Sequence, residues 1–478
     1  MTSGTGTAQD TDTVGAGDTG TGRLRPPLTR SRIVLWAAGL AALALTAAAA
    51  VSIEFGIGAL VDGFDDVVNL VERMLPPRMD DPPRIASLAL ETLLIAVLGT
   101  VFATTISVPL AFLAARNTAP NTFVYTLARG IITFCRAVPD LVFAVLFVRA
   151  MGIGVLPGVL ALALHSVGML GKLFADAIEQ SEAGPREAVR STGAGPVREL
   201  VNGVLPQVVP SWISTFVYRI DINLRTSVVL GFVGAGGIGF ALQDALRGLV
   251  YNRALGIVLV IIVIIAALEL ASIAIRRLLL RPADRGGERG QPSVGTGPRV
   301  TPPWTTERLS KAAFACLLAV AIGYAFVSLR INPLDVFTSL GDVVDVAGRL
   351  VPPDFTMVGD QLGEAVVETL AIGMVATAIG VVLSLPIGLL AARNVAPHRA
   401  VYWAARSLVL VVRAIPELIL AVVFVAAIGL GPIAGACALG LGSIGFLGKL
   451  VADAAEEIDP GPREAVRSVG GGWWKELF

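Results

Sequence analysis

Glu91-Thr92-Leu93 opens a stretch that closes on Ala114-Ala115-Arg116-Asn117-Thr118-Ala119-Pro120, and the chain then writes that stretch a second time. Glu368-Thr369-Leu370 opens the second version and Ala391-Ala392-Arg393-Asn394-Val395-Ala396-Pro397 closes it, at an offset of 277. Between 91–120 and 368–397, 14 of 30 positions are identical, and the matches include Glu, Arg, Asn and Pro. Shared apolar composition does not produce such matches. The same offset aligns Arg136-Ala137-Val138-Pro139-Asp140 with Arg413-Ala414-Ile415-Pro416-Glu417. It also aligns Gly171-Lys172 with Gly448-Lys449, and Pro185-Arg186-Glu187-Ala188 with Pro462-Arg463-Glu464-Ala465. A repeated unit this long is a whole domain, not a solenoid module of roughly 20–50 residues.

Composition says what kind of domain it is. The chain is 54% apolar and 15% charged, with a mean hydropathy of +0.75. Soluble domains carry about 25% charged residues. The balance therefore points to an all-α polytopic membrane protein in a lipid bilayer, and no basic face for nucleic acid is present. Apolar runs of about 20 residues suffice to cross the bilayer core. In the first copy they predict six spans, at 33–53, 88–115, 122–149, 155–174, 208–236 and 254–276. The second copy supplies 309–329, 365–392, 401–427 and 430–450. Residues 1–30, rich in Gly, Thr, Asp and Ser, read as a disordered tail. The units then run over 31–280 and 306–478, joined by a Gly/Pro/Arg-rich linker at 281–305.

Charge sets the topology. Arg23, Arg25, Arg30 and Arg32 precede the first span, and Arg276, Arg277, Arg281, Arg285 and Arg289 follow the sixth. Both ends of the first copy are expected in the cytoplasm of a plasma-membrane protein, with its N-terminus inside. The segment after the first span carries Glu54, Asp62, Asp65, Asp66, Glu72, Asp80 and Asp81 and falls outside; Asp335, Asp342, Asp345, Asp354 and Asp360 repeat the pattern. An even span count makes the two copies parallel, one of the known transporter plans. The second copy stops early, since Phe478 aligns with Val201. The expectation is a fragment or a shortened reading frame, or, less economically, a second polypeptide that completes it; one complete half and one incomplete half would not transport unaided.

The inner polar stretch, from Asp176 to Pro206, reads as two short helices around a glycine turn. Pro185 suits a first helical turn, Glu187 the positive end of the helix dipole, and Gly193 a left-handed stop. Glu187-Ala188, Gly193 and Leu205-Pro206 resemble the cytoplasmic coupling motif of ABC importer permeases. Val189 and Gly203 depart from it, standing where the motif has Ala and Ile. Copy two retains Glu464-Ala465 and Gly470. Arg136–Asp140, Leu162–Glu179, Gly184–Ala188 and Val233–Gly239 resemble the phosphonate-type branch of those permeases, over roughly 85–280 and 365–478. That resemblance implies a type I importer-like fold and an external binding protein that delivers an oxyanion. It also implies cytoplasmic ATPase subunits docked at Glu187, Ala188, Gly193, Leu205, Pro206, Glu464, Ala465 and Gly470. Phosphonate, phosphite and phosphate are not separated by it.

Intramembrane charges are costly and mark function by default. Arg136, Asp140, Arg413 and Glu417 are the candidates for a translocation path or gate. Alternatively, each Arg and acid, four residues apart, braces a helix broken at Pro139 or Pro416. His165 reads as a packed helix residue, and Lys172 and Lys449 as snorkelling to the interface. Cys135, Cys316 and Cys437 have no metal or disulfide spacing. Gly234-Ala235-Gly236-Gly237-Ile238-Gly239 fits a dinucleotide fingerprint in letters only, because its flanks are apolar spans rather than a strand and an acid. Gly171-Lys172 and Gly448-Lys449 lack the rest of a phosphate-binding loop. No catalytic, cofactor or metal constellation is present in the sequence, and ATP hydrolysis is expected on a separate chain. The alternatives are a secondary transporter of parallel repeats, which needs no ATPase, and a membrane enzyme, which needs a polar constellation.

Overall fold

The computed structural model describes residues 30–56, 58, 64–279, 306–356, 359–472 and 475, which form helices and turns without a strand. The expected tail before Arg30 and the 281–305 linker, with their arginines, lie outside the described residues.

Helix α1 spans Arg30–Ser52 and is apolar around its whole circumference. Its residues to Ala48 belong to one compact unit, and the chain from Ala49 onward to a second. The first copy continues with α2 (Phe64–Met74), α3 (Pro82–Ala114), α4 (Thr122–Ala137), α5 (Asp140–Met151) and α6 (Val155–Glu179). Then come α7 (Ala183–Ser191), α8 (Pro196–Glu199), a π turn (Leu200–Val204), α9 (Leu205–Gly231), α10 (Gly237–Arg247) and α11 (Tyr251–Leu279). The second copy holds α12 (Thr306–Ser328), α13 (Pro333–Thr338), α14 (Leu340–Arg349) and α15 (Gly359–Leu390). It continues through α16 (Arg399–Ala414), α17 (Glu417–Ile428), α18 (Pro432–Glu456) and α19 (Pro460–Ser468).

Local chemistry explains the boundaries. The Asp81 carboxylate accepts a hydrogen bond from the Arg84 amide, and Pro82 and Pro83 occupy the first turn of α3. Asn121 caps α4 in the same way through the Val124 amide. Pro206, second in α9, has no N–H to give, so the backbone ahead of it loosens into the π turn.

Two expected spans need correction. Residues 122–149 are not one straight crossing: α4 and α5 meet at 87°, and α16 and α17, in place of 401–427, meet at 88°. Pro139 and Pro416 supply the break, since each lacks the amide its helix needs, and Asp140 and Glu417 start the next helix. The acidic segments that follow the first span of each copy contain the short helices α2, α13 and α14. Helix α10 was likewise hidden between two spans.

Packing repeats with the sequence. Helix α3 lies along α6, and α15 lies along α18. A Cβ on Gly99 would come 2.8 Å from Leu162 Cβ, and one on Gly380 would come 2.7 Å from Ser443 Cβ. Small residues thus let the paired helices approach closely. The copies also exchange contacts at the ends of their first spans. Ala49, in the last turn of α1, and Ile53, just beyond it, pack on Ala371, Val375 and Ala436 of copy two. Ala325 in α12 and Ile331 just beyond it pack on Leu94, Leu98 and Val159 of copy one, the positions equivalent by the 277 offset. A further core joins the copies at the centre, where Ala414 and Ile419 meet Val228, Ile257 and Ile261.

Candidate functional site

Two sites emerge, one around the turn between α7 and α8 and one at the join between copies. At the first, α7 and α8 form a hairpin turned by Gly193, whose φ of +77° is a left-handed conformation that side chains resist. Gly470, after α19, has the same φ of +77°. Arg186 locks the hairpin: Nε and Nη2 donate to Glu199 Oε1 at 3.0 and 2.7 Å, and Nη2 also donates to the Asn117 carbonyl at 2.9 Å. Gln207 closes the base by accepting from the Glu182 amide at 3.0 Å. In copy two, Arg463 donates to the Asn394 carbonyl, the equivalent bond.

The loop that receives Arg186 is itself anchored twice over. The Arg116 amide donates to Glu179 Oε1 at 2.9 Å, and the Arg393 amide donates to Glu456 Oε1 at 2.9 Å. Arg129 pairs with Asp176 at 3.4 Å, and Arg406 with Asp453 at 3.6 Å. Arg116 Nε donates to the Tyr125 hydroxyl and Arg393 Nε to the Tyr402 hydroxyl. These bonds push both guanidinium pKa values above their ordinary level. With the hairpin held from behind, Glu187, Ala188, Glu464 and Ala465 face outward and exposed. Val197 and Val469 are 73% and 84% exposed beside them. Leu205 is half-buried and Pro206 exposed at the root of α9.

The second site corrects the bracing alternative. Arg413 does not pair with Glu417. Its Nη1 lies 2.8 Å from Glu269 Oε1, and its Nη2 lies 3.5 Å from Asp221 Oδ2, both in copy one. The 88° bend carries Glu417 away along α17, while α16 ends with Arg413 aimed across the join. Arg136 and Asp140 make no ion pair with each other either; Asp140 Oδ1 accepts from the Leu141 amide. The arginines sit tightly because of glycines on the facing spans: a Cβ on Gly168 would come 2.6 Å from the Arg136 amide, and one on Gly445 would come 2.6 Å from Arg413 Cα. His165 Nδ1 lies 3.2 Å from the Val138 carbonyl at the break, a structural role. Asp140, Arg413 and Glu417 line a cavity of 470 Å³ at the join, together with Tyr218, Arg225 and Thr226. Arg136 is exposed and not among the lining residues.

Sequence reasoning missed the partners. Arg219, Asp221 and Asn223 lie in α9 and Glu269 in α11, all buried, with Arg225 half-buried. Asn223 donates to Thr100 Oγ1 at 2.8 Å and to Ser166 Oγ at 3.0 Å, and Arg219 Nε donates to Ser166 Oγ at 2.8 Å. The signal was available: ionisable residues at 219, 221 and 225 within one expected span, where each is costly. The glycine-rich turn has its own explanation. The Gly237 amide donates to Glu91 Oε1 at 2.7 Å and the Ile238 amide to Thr92 Oγ1 at 2.8 Å, so the opening motif of the repeat caps α10. Cys135 and Cys437 are buried and Cys316 is exposed, all as free thiols.

The sequence profile of the family described as "Binding-protein-dependent transport system inner membrane component" matches residues 107–283 and 384–478. The chain belongs to this family. Both matched blocks fall on the repeat, so the permease carries the family's unit twice. It is 65% identical over 433 residues to "Phosphate-import permease protein PhnE" of Mycolicibacterium smegmatis, covering 91% of this chain and 78% of that one. It is 42% identical over 218 residues to "Phosphite transport system permease protein PtxC" of Stutzerimonas stutzeri, covering 46% of this chain and 79% of that one. It is 43% identical over 118 residues to "Putative cryptic phosphonate transport system permease protein PhnE2" of Escherichia coli, covering 25% of this chain and 97% of that one. The permease is therefore a multi-pass membrane subunit of an inner-membrane transport system.

Proposed function

We propose that this permease imports a phosphorus oxyanion, delivered by an external binding protein and driven by cytoplasmic ATPase subunits. Residues 31–280 and 306–478 act as the two permease units, joined by the 281–305 linker, with the N-terminus cytoplasmic. The observation that carries the reading is the helix and glycine turn found in both copies, which presents Glu187-Ala188 and Glu464-Ala465 outward on a backbone held from behind by Arg186 and Arg463. A rigid charged edge suits a partner that must push on it. Glu187, Ala188, Gly193, Leu205 and Pro206 would receive one ATPase subunit, and Glu464, Ala465 and Gly470 the other. Relatives named for phosphate, phosphite and phosphonate transport support the substrate class. Asp140, Arg413 and Glu417 would border the path between the copies, with Arg136 as the copy-one equivalent of Arg413.

The test is assembly. Tagged permease is co-expressed with a candidate ABC ATPase subunit from the same genome, and the pair is isolated in detergent. Wild type should retain the ATPase, and Glu187→Arg combined with Glu464→Arg should lose it while inserting normally. Equal retention by the doubly substituted permease would contradict the assignment of the hairpins.

A further inference from the structure

Asp221 and Glu269 are shared between two arginines. Arg225 Nη2 lies 3.0 Å from Asp221 Oδ2 and 3.5 Å from Glu269 Oε2, and Arg413 takes the other contacts, at 3.5 and 2.8 Å. The four side chains are 21%, 4%, 10% and 14% exposed in the order Arg225, Asp221, Glu269, Arg413. Three belong to copy one. Arg413 alone belongs to copy two, in the last turn of α16, just ahead of the break at Pro416. The cluster is thus an ionic tie across the join between the copies.

The division of labour has a physical logic. A carboxylate stripped of its partner inside a membrane protein is expensive. Arg225 stands four residues from Asp221 on the same helix and reaches Glu269 as well, so both carboxylates keep a cation when Arg413 withdraws. Arg413 has no such second partner in copy two: among the described residues its ion pairs are with Asp221 and Glu269 only. Once released it needs an anion. The cavity beside it offers the Tyr218 and Thr226 hydroxyls as further hydrogen-bonding groups. While the tie is closed both arginines are taken up by carboxylates, with Asp221 and Glu269 behind them and Asp140 and Glu417 on the cavity wall.

We propose that Arg413 is an anion-exchange latch: closed on Asp221 and Glu269 it seals the join, and released it takes the passing oxyanion as its counter-ion. The step is an exchange of ionic partners, with no covalent bond made or broken. A guanidinium suits it, because the planar fork binds a carboxylate or a phosphoryl group with two parallel hydrogen bonds. The oxyanion half of this inference rests on the proposed function above. The seal does not.

The permease is reconstituted into vesicles with its ATPase and binding protein. Two readouts are taken: ATP-driven uptake of labelled methylphosphonate, and passive chloride leak in the absence of ATP. Arg413→Gln should raise chloride leak and lower uptake, each by about tenfold or more, because the charge pairing that ties copy two to copy one is lost. Arg413→Lys keeps a cation at the join without the planar fork. It should hold the leak within about threefold of wild type while uptake falls, because a lysine does not offer the oxyanion two parallel hydrogen bonds. Membrane abundance of both variants is measured alongside. An unchanged leak in Arg413→Gln at normal abundance overturns the latch, and so does an Arg413→Lys variant that inserts normally but leaks as much as Arg413→Gln. Absence of uptake by wild type would instead overturn the oxyanion reading, and the chloride leak would still report on the seal.

Discussion

Gly203 lies so close to Arg186 that a Cβ placed on it would sit 3.0 Å from the Arg186 Cα. This contact explains the departure of Gly203 from the coupling motif, which has Ile there. With Arg186 folded inward to Glu199 and Asn117, a side chain at 203 would press on the α7 backbone where it settles on the π turn.

Restoring the motif residue should therefore harm the protein. Gly203→Ile overpacks this contact at a cost of about 1–3 kcal/mol and should displace α7 rather than unfold the spans. Limited proteolysis between 180 and 200 should quicken while detergent-extracted yield stays near wild type. Gly203→Ala should fall between the two.

Gly193 makes a graded prediction. Its φ is +77°, and a Cβ placed on it would meet no atom within 4 Å, so strain is the whole penalty. Gly193→Val should cost about 1–2 kcal/mol, the usual penalty for a left-handed residue. Gly193→Asn should cost less, because Asn tolerates that region. ATPase activity stimulated by the permease should fall for Val and be largely retained for Asn. Equal loss in both would contradict a backbone explanation.

The polar network on α9 predicts coupling between substitutions. Asn223→Ala leaves the Thr100 and Ser166 hydroxyls short of a partner in a buried position and should cost about 1–3 kcal/mol. Ser166→Ala alone also deprives Arg219 Nε of its acceptor. The double substitution should cost less than the sum, by about 0.5 kcal/mol or more. Thermal unfolding of the detergent-solubilised protein, read by intrinsic tryptophan fluorescence, measures all three.

Thr92→Val is the matching test of the repeat's opening motif. It removes the acceptor for the Ile238 amide at the start of α10 and should lower stability by about 1 kcal/mol, the value of a helix cap. Hydrogen exchange at 237–242 should quicken more than at 251–261 in the neighbouring span.

Much of this architecture was legible in the chain. The repeat read at a 277-residue offset reappears in the structure as doubled contacts, such as Arg116–Glu179 with Arg393–Glu456, and as paired bends at Pro139 and Pro416. Gly193 and Gly470 were readable because a left-handed turn leaves a residue-level mark. What escaped was long-range. The expected Arg413–Glu417 brace was a local inference from spacing, and the true partners, Asp221 and Glu269, lie 192 and 144 positions away in the other copy. Spacing along one helix holds no information about which foreign helix will lie beside it. The exchange of contacts at the ends of α1 and α12 escaped for the same reason: both helices are apolar all round, and no stripe marks the face that packs.

The central claim is ATP-driven import of a phosphorus oxyanion. The most direct measurement is uptake of labelled methylphosphonate and phosphate into vesicles that hold the permease, its ATPase and its binding protein, with ATP present or replaced by a proton or sodium gradient. The account predicts uptake that needs ATP and the binding protein together and stops in Gly193→Val. Accumulation on an ion gradient alone, without ATP or ATPase, would contradict it.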